Sequence, residues 1–149
     1  MSDIVIRPVA AGDRAAWEKL WHGYLAFYEK TIPQAATDHT WQRLFDPAGA
    51  VEGLLAVDAD GAALGLVQYL HHASTWSVGG NVYLQDLFVV PEARGRRIGR
   101  RLIAAVTDIS KQKGAAVLYW QTEEFNGPAR RLYERVAKRA PFVRYNIEL

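Results

Sequence analysis

The chain has no cysteine, which excludes disulfides, thiolate zinc sites and cysteine nucleophiles together. Metal ligands of other kinds are also sparse. His22 and His39 have no companions at ligand spacing, and the adjacent His71 and His72 would point to opposite faces of a strand, so no metal is expected. No apolar run approaches the length of a membrane span. The opening Met-Ser-Asp-Ile-Val-Ile-Arg lacks the layout of a secretory leader, and a cytoplasmic protein is expected. Repeats, linkers and low-complexity stretches are missing as well. With 149 residues, the chain is expected to form one domain over 1–149.

Half of the residues are apolar, enough for a packed core. Net charge is only +2, yet its distribution is lopsided. Residues 1–93 hold 5 Lys/Arg against 11 Asp/Glu, whereas residues 94–149 hold 13 Lys/Arg against 5 Asp/Glu. That asymmetry suits an anionic ligand on one side and a cationic one on the other, although surface charge can also scatter this way. The cationic half is densest at Arg94-Gly-Arg-Arg-Ile-Gly-Arg-Arg101, where five of eight residues are arginines. An apolar strand leads into it through Pro91, and an amphipathic helix leaves it. Free N–H groups at a helix N-terminus, flanked by glycines, form a site for a phosphorylated ligand.

The rest of the chain alternates helical and strand periodicities. Strands are predicted at Ile4–Pro8, Gly53–Val57, Ala63–Tyr69, Val82–Val90, Ala116–Trp120 and Phe142–Leu149. Asp58-Ala-Asp-Gly61 is a hairpin signal. Helices are predicted from an Asp13 N-cap to about Tyr28, over Asp38–Phe45, over Ile98–Lys113, and from Asn126-Gly-Pro-Ala129 to about Ala137. The order gives a mixed α/β domain, a central mixed sheet of about six strands flanked by helices. A right-handed crossover from Val82–Val90 to Ala116–Trp120 would place the arginine-glycine loop at the carboxyl ends of both strands.

These elements, with Arg94-Gly-Arg-Arg-Ile-Gly99 after the central strand, resemble the GNAT superfamily of acetyl-CoA-dependent N-acetyltransferases over essentially the whole chain. Three segments are similar to its diamine and polyamine branch: Tyr83-Leu-Gln-Asp-Leu-Phe-Val89, the glycine loop, and Asn126-Gly-Pro-Ala-Arg-Arg-Leu-Tyr133. The resemblance implies the GNAT fold, acetyl-CoA as co-substrate, no metal, a small-molecule amine acceptor and a homodimer. It implies that Leu87, Phe88 and Val89 meet the acetyl-pantetheine arm through backbone groups. Arg94, Gly95, Arg96, Arg97, Ile98, Gly99 and Arg100 would hold the pyrophosphate, and Asn126 and Ala129 would flank the arm. Tyr133 falls on the family's tyrosine that faces the thioester sulfur. Two positions depart from the pattern: Arg97 replaces the loop's first glycine, and Gln85 replaces a glutamate of the polyamine branch.

The chemistry sets further requirements. A free alkylamine titrates near pKa ~10.4 and arrives as ammonium, so something must take its proton. The leaving thiol titrates near ~8.5, so a weak acid such as the Tyr133 phenol suffices at sulfur; a core tyrosine is the alternative. Gln85 cannot serve as a base, which leaves waters or another carboxylate. Asp86, on the opposite face of the strand, reads as a buried structural carboxylate. Tyr28-Glu29 resembles a substrate-contacting pair of the same branch, with Glu29 either pairing an ammonium or lying solvated. Trp76 is either an aromatic wall for an amine's methylenes or a turn-capping apolar residue. A protein lysine or N-terminus is an alternative acceptor. From different classes, the arginine cluster also fits a basic nucleic-acid-binding module, against which the acidic first half weighs, and the Gln85 exchange allows a non-catalytic acyl-CoA sensor.

Overall fold

Apolar stripes on both faces of the sheet dictate a three-layer arrangement, with one helix layer against each face. The computed structural model describes residues 3–149; residues 1 and 2, where the expectation of a leaderless N-terminus begins, lie outside the described residues. Five strands follow one another in space in chain order: β1 (Val5–Pro8), β2 (Val51–Val57), β3 (Ala63–Ser74), β4 (Ser77–Val89) and β5 (Val117–Tyr119). The first four pair antiparallel, and β5 runs parallel to β4. Helices α1 (Arg14–Phe27) and α2 (Gln34–Arg43) connect β1 to β2, α3 (Ile98–Gln112) connects β4 to β5, and α4 (Gly127–Val136) follows β5. This is the mixed α/β sheet and crossover that the periodicity predicts.

Helix α3 buries Ile98, Leu102, Ile103 and Val106, one face at helical spacing, against Leu54, Val67, Val82 and Leu84. Its arginines stay on the outer face. On the other side of the sheet, α1 lays Trp17, Leu20 and Trp21 on Leu55, Val57 and Leu66. Trp41 of α2 closes over Trp17 with ring centroids 5.2 Å apart. At Gly23 a side chain would come within 2.8 Å of the Phe88 ring. The missing Cβ therefore lets α1 press directly on the end of β4, fixing where that strand emerges.

The structure corrects several sequence-based expectations. Residues 142–149 join no ladder, so the sheet has five strands rather than six. A strand needs a neighbour to satisfy its backbone, and the single chain brings none alongside this segment. The β3–β4 hairpin is longer than expected, with His72 opposite Asn81 and Ser74 opposite Ser77. The polar residues and the Gly79-Gly80 pair hide that extension from periodicity, but each arm holds the other in register. Helix α2 starts at Gln34, straight after Pro33, rather than at Asp38. Asp13 makes no side-chain cap. Its carboxylate instead accepts from both Arg7 guanidinium nitrogens, at 2.7 and 3.0 Å, and from the Ala10 amide.

Leu102 is fully buried between α3 and the sheet. Leu102→Ala is expected to cost about 2–5 kcal/mol, read as a lower urea midpoint with an unchanged slope; a loss under 1 kcal/mol would show that α3 packs elsewhere.

Candidate active site

The site originates in an interruption of the sheet. Ladder pairing between β4 and β5 covers only Asn81 to Tyr83 and ends at Tyr83–Tyr119. Two residues on, β4 carries a bulge: Gln68 faces Asp86 and Tyr69 faces Leu84, leaving Gln85 as the extra residue. Beyond the bulge the Val90 amide donates to Leu64 O on the β3 side. Strand alternation then turns the peptide groups of Leu87 and Val89 toward the gap left by β5. Arg94 Nε donates to Val89 O at 3.2 Å, while its guanidinium lies over Phe27 and Phe88. Leu87 is left facing the opening.

One wall of the gap is the loop and the start of α3. Gly95 has φ 84° and Arg97 has φ 62°, both left-handed. Gly95 takes that conformation freely, whereas for Arg97 it is a strained choice of order 1–3 kcal/mol. Arg97 thus keeps a glycine-like backbone while adding a guanidinium, which answers the question raised by the missing glycine. Among the described residues, the first amide of this segment with a main-chain acceptor is that of Arg101, bonded to Arg97 O. The N–H groups of residues 95–100 remain free at a helix N-terminus, with the exposed Arg96, Arg97 and Arg100 around them. Ile98 is buried and offers only its backbone. A side chain at Gly99 would meet Leu132 at 3.7 Å and Val89 at 4.0 Å, so this glycine borders the gap between β4 and α4.

Helix α4 supplies the opposite wall. Tyr133 packs edge-on against Trp120 with centroids 5.5 Å apart, and it is half-buried. Burial first, and then nearby Tyr28, push its phenol up to about 12. The hydroxyl therefore keeps its proton throughout the neutral range. Asn126 precedes the helix with its side-chain amide 3.4 Å from the Thr122 hydroxyl, and Ala129 is half-buried one turn before Tyr133.

The floor holds a polar chain. Trp17 Nε1 donates to Gln68 Oε1 at 2.8 Å, and Gln68 Nε2 donates to Asp86 Oδ2 at 2.9 Å. The Tyr24 hydroxyl lies beside the same carboxyl. Desolvation raises the Asp86 pKa, against the stabilising Gln68 and Tyr24 contacts. The Tyr24 ring tilts at 52° against that of Tyr28, centroids 4.9 Å apart, and Tyr28 is within electrostatic reach of Glu123, Asp86 and Tyr133. Burial raises the Tyr24 and Tyr28 phenols. Alongside, Tyr83 stacks on Tyr119, whose hydroxyl is 2.8 Å from His72 Nε2. A buried carboxylate thus opens, through phenols, toward the gap. This arrangement can attract a cation and pass a proton inward.

Of the residues expected at one site, Leu87, Val89 and Tyr133 pack against the same core cluster, Gly99 borders Val89 and Leu132, and Phe88 packs on the other side, under Gly23 of α1. Trp76 does not join them. It is 89% exposed at the tip of the β3–β4 hairpin, ten residues and about 33 Å of strand from Asp86. The extended hairpin carries it to the end of β4 away from Asp86. Glu29, also left-handed with φ 53°, faces a recess of about 450 Å³ between α1 and α2 rather than Tyr28's side. Gln85 is the exposed bulge residue. Sequence reasoning missed Tyr119, whose place beside Tyr83 and His72 depends on the β4–β5 pairing; Tyr24 is signalled by the Tyr24-x-x-x-Tyr28 spacing. No group of three metal-ligating side chains occurs among the described residues.

Known proteins share this framework. The acetyltransferase (GNAT) family model matches residues 17–137. A D-amino-acid N-acetyltransferase of Saccharomyces cerevisiae, HPA3, is 36% identical over 95% of this chain and 89% of its own length. A thialysine N-epsilon-acetyltransferase of Bos taurus is 38% identical over 44% of this chain and 38% of its own. Among solved structures, a probable acetyltransferase superposes with TM-score 0.86 at 21% identity, covering 97% of each chain. AAC(6')-Iy, in complex with the bisubstrate analog CoA-S-monomethyl-acetylneamine, superposes with TM-score 0.76 at 21% identity, covering 98% of this chain and 100% of its own.

The raised Asp86 pKa has a consequence for stability. A carboxyl that titrates higher folded than unfolded contributes stability fully below the unfolded pKa and loses it as pH rises through the folded pKa. Asp86→Asn is therefore expected to raise Tm relative to the parent at pH 7–8, with the gain shrinking toward pH 4. A Tm advantage that grows on acidification would contradict the assignment.

Proposed function

Because the chain belongs to the acetyltransferase (GNAT) family, we propose that it transfers an acetyl group from acetyl-CoA to the primary amine of a small polyamine, diamine or amino-acid-like molecule, by direct attack within a ternary complex. The observation carrying this reading is the convergence, at the point where β4 leaves β5, of free amides 95–100, the Leu87 peptide groups, Tyr133 and the Asp86–Tyr24 pair. The amides and arginines of the loop fit a diphosphate, and the gap beside Leu87 fits an extended arm lying like an added half-strand. When bound, acetyl-CoA supplies an activated acyl carbonyl and a thiolate leaving group.

The chain's own residues then divide the work. The Leu87 amide polarises the acyl oxygen by hydrogen bonding. Asn126 and Ala129 keep the arm against β4, and the closeness of both walls supplies alignment. Asp86, buried beside Tyr24, draws in an ammonium group and accepts its proton by way of the Tyr24 hydroxyl. Tyr133 donates a hydrogen bond to the departing sulfur. With the phenol near 12 and a thiol near ~8.5, complete proton transfer from Tyr133 alone is uphill by about 5 kcal/mol. Its role is to stabilise the leaving charge, the net proton coming from the amine. Tyr28 and Tyr83 line the acceptor side. The homodimer and a cytoplasmic location belong to the same reading.

The likeness to the D-amino-acid N-acetyltransferase over 95% of this chain supports a small acceptor. Release of free CoA thiol across a panel of polyamines, D- and L-amino acids and lysine peptides is expected with small amines. Turnover confined to peptides would favour a protein acceptor, and a raised Tm with acetyl-CoA but no turnover anywhere would indicate a sensor. Tyr133→Phe is expected to lower kcat 10- to 100-fold with little change in acetyl-CoA affinity; equal losses in both would make the tyrosine structural. Gly99→Val is expected to weaken acetyl-CoA binding at least tenfold in calorimetry with Tm held, and an unchanged Kd would remove Gly99 from the cofactor site.

A further inference from the structure

The buried polar chain under the gap has a direction, and its far end is a core tryptophan. Trp17 is fully buried and packs against Trp21 and Trp41 with ring centroids 6.2 and 5.2 Å apart. For that packing alone an apolar ring would serve. Its indole nitrogen instead donates to Gln68 Oε1 at 2.8 Å, and Gln68, 1% exposed, donates through Nε2 to Asp86 Oδ2 at 2.9 Å. Among the described residues, no buried side-chain nitrogen or oxygen lacks a partner.

An indole N–H can only donate. It therefore has to meet the carbonyl oxygen of the Gln68 amide, and the NH2 group has to face Asp86. The reversed amide would set two donors against each other at Trp17 and two acceptors against each other at Asp86. Both contacts lie out of water, where leaving them unmade costs most. Gln68 thus presents a fixed donor to Oδ2 whether the carboxyl is charged or neutral. A proton arriving at Asp86 is directed to Oδ1.

We propose that Trp17 and Gln68 are positioning residues for proton removal from the amine substrate: the Trp17 indole fixes the Gln68 amide, which holds Oδ2 of Asp86 as an acceptor and leaves Oδ1 for the proton. This rests on the reading of Asp86 as the group that takes that proton. In the step itself an N–H bond of the ammonium breaks as the Tyr24 oxygen takes its proton, and the Tyr24 O–H proton passes to Oδ1. The nitrogen regains its lone pair, Tyr24 ends unchanged, and Asp86 ends neutral. Gln68 need not turn at any point, so no buried contact is broken while the charge on Asp86 disappears.

The titratable groups facing Asp86 are the Tyr24 and Tyr28 phenols of α1 and the Tyr83 phenol of β4. Burial raises the Asp86 carboxyl, while Gln68 first, and then Tyr24, hold it down. Removing the Gln68 donor therefore raises it further.

The test reads the Asp86 carboxyl carbon by NMR in the carbon-13-labelled full chain, its signal identified by its loss in Asp86→Asn. Gln68→Met, close to glutamine in length and without a donor, is expected to move the titration midpoint up by about one pH unit, as loss of one hydrogen bond to the charged form requires. Trp17→Phe is expected to move it upward too, because the amide is then free to turn. Leu55→Ala, an apolar truncation in the same buried layer, is expected to lower Tm and leave the midpoint in place. An unmoved midpoint in Gln68→Met, or an equal shift in Leu55→Ala, would overturn the proposal even if Trp17→Phe does not fold. In turnover, the acid limb of kcat/KM is expected to move up with the midpoint. A midpoint that moves without the limb would overturn the positioning role and leave the chain of contacts structural. Acetyl transfer to no amine would bring down the proposed function itself, a failure distinguished from the first by a midpoint that still moves.

Discussion

The pairing of β4 with β5 stops after three residues, and the proposed chemistry is set in the space that opens there. A continued ladder would consume the peptide groups of Leu87 and Val89 and press Tyr133 against the sheet. The bulge at Gln85 and the pressure of α1 on Phe88 through Gly23 hold the end of β4 where α3 can begin beside it. A run of unpaired amides, a phenol and a buried carboxylate thereby lie near the end of β4.

Two local costs persist at that rim. Arg97 occupies a backbone region suited to glycine, and Asp86 keeps a carboxyl out of water. Neither helps the fold; both make sense as preparation for ligands of opposite charge. The loop wall is cationic and the floor is anionic, and the imbalance between residues 1–93 and 94–149 is the sequence-level trace of that division.

Much of this was legible beforehand. The Ile98–Gln112 helix declares itself through buried positions at helical spacing, and the crossover follows from an apolar strand on either side of it. The loop's proposed role is readable because phosphate binding depends on backbone and glycine, which sequence shows directly. What sequence concealed depends on neighbours. The polar arms of the β3–β4 hairpin carry no alternation of their own, so sequence does not show that the hairpin holds Trp76 at the end of β4 away from Asp86. Asp86 was legible as buried but not as linked to Tyr24, because that contact joins a strand and a helix far apart in the chain. The 143–149 segment has the alternation of a strand but, in a single chain, nothing to pair with.

The most direct measurement of the central claim is amide hydrogen exchange on the full chain with and without acetyl-CoA. The account predicts strong protection at residues 95–100 and at Leu87, and none at the hairpin tip around Trp76. Protection absent from the 95–100 amides, with acetyl-CoA demonstrably bound, would place the coenzyme elsewhere and contradict the account.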